Sequence, residues 1–332
     1  KYKIEGVFSG AYAESMKKML AAAVAKNLPV LGHQASIYGP QLAYSNALQP
    51  LDDIMKADKT FKAEDLVPAL YKGNVFGGKV YGLPFNNSTT VLYLNRDLFK
   101  QAGVDPDKFP DTWTEMRDML RVLKAKLPAD VTPYVIAPGS GWIPQAYLQT
   151  FGGAMVNDDN KAVSWDSTDT LECLTFFQNM KKEGLLAWNA PAAGFHGGKQ
   201  GITTESTAAL TNFIKRSPFD LGVAKVPTGK LKSAVIGGGS LYMFAGKSRG
   251  EKEAGWAFMR FMTSKDSQVA WSNGTGYLAC NMAAVDELGK TTHKTDPRFA
   301  VAFKQMFYST TENRTYTPAF EAIRDVFNDT WA

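Results

Sequence analysis

The sequence predicts an α/β protein with an internal boundary near residue 110, on three observations. Short apolar runs alternate with helical patterns along the chain, as in a sheet flanked by helices. The segment Val104-Asp-Pro-Asp-Lys-Phe-Pro-Asp111 carries two prolines and four charges and reads as a linker or hinge. The length of 332 residues is enough for one large or two medium domains. The β-α-β alternation favours a mostly parallel sheet, where ligands bind beyond the carboxyl ends of the strands. The loops holding Gly10, Tyr12, His33 and Ser36 are candidates on that ground.

The elements follow in order. Residues 1–6 read as a strand, with Tyr2 and Ile4 alternating with polar neighbours. Residues 12–26 form an amphipathic helix with Met16, Leu20, Ala23 and Val24 on one face. Residues 28–31 read as a short buried strand, and 41–55 as helical. Residues 71–85 resemble a hairpin turning at Gly77-Gly78. The polar run Asn86-Asn87-Ser88-Thr89-Thr90, packed ahead of an apolar strand at 91–95, needs hydrogen-bond partners, and its plainer role is turn and cap chemistry. A short helix at 96–102 closes at Gly103. Thr112 then opens a strong helix at 113–127, and Glu115 completes a capping box.

A strand at 131–137 leads into a loop at 138–143, where Trp142 either stacks on a ligand or plugs a core. Residues 145–151 are helical, and Ser167 opens a long helix to Lys182. A strand at 199–204 runs into Glu205-Ser206-Thr207-Ala208, a helix start whose N–H groups and hydroxyls suit an anion or a hydroxylated ligand. Residues 220–225 and Pro227 then bring the chain to a glycine-rich stretch. This is Val235-Ile-Gly-Gly-Gly-Ser-Leu-Tyr, where Gly237, Gly238 and Gly239 interrupt a buried-strand pattern. Taken alone, such a triplet is a flexible turn more often than a ligand-facing backbone. Helices at 251–262 and 266–271, a tight turn at 274–278, and helices at 299–307 and 320–331 complete the chain.

Composition narrows the function. A net charge of +5 without any Lys/Arg block argues against nucleic acid. The histidines His33, His196 and His293 are too scattered for a metal site. Cys173 and Cys280 lie far apart, and both a disulfide and two buried thiols stay open. No G-x-S-x-G, G-x-G-x-x-G, P-loop or H-E-x-x-H motif occurs, which leaves an α/β hydrolase or transferase little to draw on.

Four segments carry a resemblance: Tyr81 to Asn95; Gly141-Trp142-Ile143; Ile236-Gly-Gly-Gly-Ser-Leu241; and Phe261-Met-Thr-Ser-Lys265 to Gly276-Tyr-Leu278. With Ile323-Arg324, they make the chain resemble an extracytoplasmic solute-binding protein of an ABC importer, from the carbohydrate-type cluster. It is most similar to the branch that binds glycerol-3-phosphate and glycerophosphodiesters such as glycerophosphocholine. The resemblance implies a periplasmic-binding-protein-like fold, with two α/β lobes joined by hinge crossings around a ligand cleft. It puts 1–109 and 236–290 in one lobe, and 110–235 and 291–332 in the other. It also implies a first strand and helix, and a terminal helix, beyond the given sequence.

Carried over, Tyr12, Ser88, Gly238 and Tyr277 face the cleft from the first lobe, and Trp142, Ser206, Thr207 and Arg324 from the second. Aromatic faces with hydroxyl or N–H handles suit a polyol or a sugar. The fixed donor fork of Arg324 suits a phosphate. Two positions depart from the branch. Ser36 stands where it has an acidic residue that binds glycerol hydroxyls, and Gly139 where it has a second Trp. The resemblance further implies no cofactor, permease subunits as partners, a monomer, and a periplasmic or extracytoplasmic location. A receptor for an oligosaccharide of the maltose or trehalose type is the alternative within the same cluster.

Overall fold

In the computed structural model, which describes residues 2–136, 142–157, 161–188, 193–308 and 317–331, the polar run 86–90 lies inside a strand and not in a turn. The strands are β1 (Leu31–Ala35), β2 (Val75–Phe76), β3 (Lys79–Val80), β4 (Gly82–Asn95) and β5 (Thr132–Ile136), then β6 (Leu186–Trp188), β7 (Gln200–Ser206), β8 (Leu221–Ala224) and β9 (Ile236–Met243). β2 and β3 form the expected hairpin, with Gly77 and Gly78 at φ of 54° and 76°. The remaining seven strands form one sheet in the order β1-β9-β4-β7-β5-β6, with β8 also on β4.

β4 organises this sheet. Its first part, Gly82 to Thr89, pairs with β9; from Thr90 onward it pairs with β7 and β8. It is buried throughout, so its polar side chains and backbone must find partners inside the protein. Thr89 N–H donates to Thr207 Oγ1 at 3.2 Å, and Gln305 Nε2 donates to Thr89 Oγ1 at 3.1 Å and to the Thr90 carbonyl at 2.9 Å. Asn95 closes the strand by accepting from Leu98 N–H at the start of the helix Arg96–Gln101. A break in register between Pro84 and Asn86 bends the β4–β9 ladder.

The expected parallel sheet is largely absent. β5 runs parallel to β6 and β7, whereas β1, β4, β7, β8 and β9 pair antiparallel across their shared edges. The reason is that β4 and β9 lie side by side as outbound and return passes of the chain. Residues 2–10 form no strand, and Val7 and Phe8 are exposed at 79% and 90%. Alternation alone does not make a strand whose backbone groups have no neighbour to pair with. The single helix expected at 41–55 is split into Gly39–Tyr44 and Asp52–Ala57, since Asn46 takes a left-handed φ of 57° between them.

The other helices stand close to where the periodicity puts them. Tyr12–Val24 and Thr168–Lys182 are present, and Trp113–Lys126 carries the Thr112/Glu115 capping box. Arg249–Met262, Lys265–Thr275, Pro297–Met306 and Phe320–Trp331 follow. Lys265–Thr275 ends on Gly276 at φ 94°, the left-handed stop expected of glycine. Trp142 opens the helix Trp142–Thr150 and does not sit in a loop; Gly139 lies outside the described residues.

Three apolar groups form the core. One gathers Trp113, Tyr134, Tyr147, Phe177, Phe320 and Phe327, together with Leu92, Leu94, Leu98 and Phe99. A second centres on Leu51, Leu241, Met243, Trp256, Leu278 and Leu288. The third packs Met16, Tyr38, Leu42, Phe76, Tyr242 and Phe244 under the helix Tyr12–Val24. Cys173 and Cys280 are free, buried thiols in the first and second groups. Among the described residues no helix is long and apolar enough to cross a membrane.

A candidate ligand-binding cleft

A cavity of about 510 Å³ opens beside the middle of β4 and the first residues of β9. It brings together residues from distant parts of the chain: Tyr12, Ser36, Ser88, Trp142, Ser206, Gly238, Tyr277 and Arg324 all line it. Thr207, the remaining expected site residue, does not. It is 2% exposed, and its hydroxyl oxygen accepts from the backbone N–H of Thr89.

Gly237 and Gly238 of the glycine triplet line one wall, and the triplet is part of a strand and not a turn. A Cβ on Gly239 would meet the Gln34 carbonyl at 2.5 Å and the Tyr12 hydroxyl at 2.9 Å. On Gly237 it would press on Ser88 Oγ at 3.1 Å and Trp142 Cζ3 at 3.2 Å. Gly238 combines a φ of +89° with a Cβ position only 1.9 Å from the Asn86 carbonyl oxygen. The bare backbone is what lets β4 and β9 close up here.

Asn86 holds the aromatic part of the same wall. Its Oδ1 accepts from Gly239 N–H at 3.0 Å, which identifies that atom as the carbonyl oxygen. His33 Nε2, 2.6 Å from the same oxygen, therefore carries a proton and donates. Asn86 Nδ2 donates to the Tyr12 hydroxyl at 3.0 Å. The His33 ring meets Tyr12 edge-on at 5.5 Å, and Tyr277 stacks on Trp271 at 6.1 Å. Burial pushes the phenols of Tyr12 and Tyr277 above their ordinary pKa, so both stay protonated donors. Burial also lowers the His33 pKa, against the Asn86 hydrogen bond that raises it.

The serines differ in freedom. Ser36 Oγ is 3.2 Å from Ser240 Oγ, so Ser36 already has a buried partner. The Ser206 hydroxyl accepts from Ala208 N–H at 3.1 Å as an N-cap, while its residue still borders the cavity.

Across the cavity the helix Phe320–Trp331 presents Glu321, Arg324 and Asp325. Arg324 Nε is buried and has no hydrogen-bond partner among the described residues. Burial pulls the guanidinium below its ordinary pKa, and the charges of Asp325, Tyr38 and Glu321 oppose this. The Tyr38 hydroxyl donates to Glu321. A partly buried guanidinium with an idle, buried Nε donor is a position that an anion would satisfy.

Residues 1–301 match the family of bacterial extracellular solute-binding proteins. The chain belongs to that family. Its relatives include the sn-glycerol-3-phosphate-binding periplasmic protein UgpB of Pectobacterium atrosepticum, 28% identical over 92% of this chain and 72% of that protein. The UgpB of Escherichia coli K12 is 28% identical over 86% of this chain and 69% of its own length. Among solved structures, UgpB of Mycobacterium tuberculosis in complex with glycerophosphocholine superposes with a TM-score of 0.87 at 25% identity, covering 97% and 82% of the two chains. The GacH receptor of Streptomyces glaucescens, solved with acarbose, shares the fold at 20% identity and a TM-score of 0.82, over 96% and 83% of the chains.

This solute-binding protein thus has two α/β lobes with a cleft between them, and it acts outside the cytoplasm. Behind the cavity lining stand two residues that the resemblance does not carry over: Asn86, which the sequence reads as turn or cap chemistry, and His33, in one of the candidate loops at strand ends. The available signal was five consecutive polar residues directly ahead of a fully apolar strand, which need internal partners.

Proposed function

We propose that the chain is the receptor of an ABC importer and captures glycerol-3-phosphate or a glycerophosphodiester such as glycerophosphocholine. Arg324 carries this reading: a cation in the cavity with a buried, unpartnered Nε. In the proposal Arg324 takes the phosphate, Gly238 offers bare backbone, and Tyr12 and Tyr277 donate hydroxyls. Trp142 supplies an apolar face, and Ser88 and Ser206 border the ligand. Ser36, tied to Ser240, plays a lesser part.

Capture follows from differential binding. A ligand contacting both lobes stabilises the closed arrangement over the open one without any chemistry. We place the crossing points at Thr89–Thr90 and at Val235–Ile236. This divides the lobes earlier than residue 110, because Leu92, Leu94, Leu98 and Phe99 pack with Trp113. Gln305 staples the crossing. It bonds Thr89 and Thr90, and its Oε1 accepts from Val226 N–H at 2.8 Å. The receptor works as a monomer that delivers ligand to permease subunits.

A thermal-shift series with glycerol-3-phosphate, glycerophosphocholine, maltose and trehalose tests the assignment. A phosphate ligand should raise the melting midpoint progressively with concentration. A shift with maltose or trehalose alone would overturn it in favour of an oligosaccharide receptor.

A further inference from the structure

We infer that Glu321, aided by Asp325, makes this cleft selective for phosphodiesters bearing a positively charged head group, and against phosphomonoesters. The inference rests on the glycerophosphate reading and narrows it to one ligand class. Charge is the first support. Among the described residues lining the cavity, Arg324 is the cation, and Glu321 and Asp325 are the anions. A phosphomonoester near neutral pH adds a charge of about −1.5 to −2 to a lining that is already net negative. A phosphodiester adds a single negative charge, and a choline or ethanolamine group on the same molecule cancels it.

The second support is that neither carboxylate contacts Arg324, which feels their charges only at a distance. Among the described residues Arg324 forms no ion pair within 4.0 Å, although both acids are on its own helix. Glu321 uses Oε1 to accept the Tyr38 hydroxyl, and its second oxygen takes no hydrogen bond among the described residues.

Geometry is the third. Positions 321, 324 and 325 are three and four residues apart and share one helix face, with about 5–6 Å between such positions. A two-carbon link between phosphate and nitrogen spans a comparable distance. One diester can therefore present its phosphate to Arg324 and its cation to Glu321. Tyr38 and Phe320 line the cavity next to Glu321, and aromatic surroundings with a carboxylate suit an ammonium group. Ser36 cannot substitute for this acid, being neutral and bonded to Ser240.

Titration calorimetry at one low ionic strength tests the inference, with glycerophosphocholine, glycerophosphoglycerol and glycerol-3-phosphate as probes. The proteins are the wild type, Glu321→Gln, the Glu321→Gln/Asp325→Asn pair and Arg324→Ala. Unliganded melting midpoints establish that each variant is folded. In the wild type, glycerophosphocholine should bind about tenfold or more tighter than either other probe. Glu321→Gln should shrink that ratio severalfold, and the pair should bring it close to one while retaining phosphate binding. A wild-type ratio near one, a ratio unchanged in the double variant, or tighter binding of glycerol-3-phosphate would each overturn the inference but leave a phosphate receptor in place. Failure of all three probes to bind the wild type would overturn both readings.

Discussion

Replacing Gly238 with alanine should damage both the fold and the cleft, and the size of the effect follows from the backbone. At φ +89° a side chain is strained by about 1–2 kcal/mol in the left-handed region. The new Cβ would also lie 1.9 Å from the Asn86 carbonyl oxygen and 2.9 Å from Asn87 Cα, both backbone atoms that no rotamer change can move. β4 and β9 would have to separate at the register break. Strain and separation together should cost about 3–5 kcal/mol, a range reached by few single substitutions.

Gly237→Ala provides the contrast. Its Cβ meets the ends of two side chains, Ser88 Oγ and Trp142 Cζ3, at 3.1 and 3.2 Å. Differential scanning calorimetry of the unliganded proteins should show Gly238→Ala melting roughly 6–10 °C below wild type, at about 2 °C per kcal/mol for a chain of this size. Gly237→Ala should melt within about 2 °C of wild type yet bind ligand more weakly, since its methyl enters the cavity. Equal melting points for wild type and Gly238→Ala would refute the strand-wall reading of the triplet.

Two further outcomes are expected. The folded-state pKa of His33, His196 and His293 is lowered in each case, with burial the first cause. Below the unfolded value of about 6.5 the unfolded chain therefore binds more protons, so stability falls as pH drops through that window and is level above it. Urea midpoints from pH 7.5 down to 5.5 should show this slope, and His33→Gln should reduce it; an unaltered slope in that variant would remove His33 from the account. Cys173 and Cys280 are free and buried, so a thiol reagent should find none reactive in the native protein and two after denaturation. Absence of thiols in the denatured, unreduced protein would mean that they pair.

Much of this architecture was legible in the sequence, and the misses share a cause. Capping boxes and glycine stops are local signals, so the helix 113–126 and the end at Gly276 could be placed from a few residues each. Strand direction and partner are not local. Nothing within residues 86–90 reveals that β9, far along the chain, lies against them, so a buried strand was read as a turn. The same blindness hid Asn86, whose role depends on Gly239, His33 and Tyr12 arriving from three other segments. Residues 2–6 failed in the opposite sense: the alternation is present, but no neighbouring strand receives it. The cavity residues were placed by resemblance to the family, because the chemistry of a lone Tyr, Trp or Arg does not separate a cleft from a core or a surface. Thr207 stands outside the cavity lining, with its hydroxyl oxygen accepting from Thr89 N–H, a position that resemblance alone does not reveal.

Direct titration of wild type and Arg324→Ala with glycerol-3-phosphate and glycerophosphocholine tests the central claim. With the guanidinium gone, the affinity for whichever phosphate the wild type binds should fall at least about a hundredfold, the scale for losing a buried charge partner. Unchanged affinity in a folded Arg324→Ala protein would contradict the assignment of phosphate to this cleft.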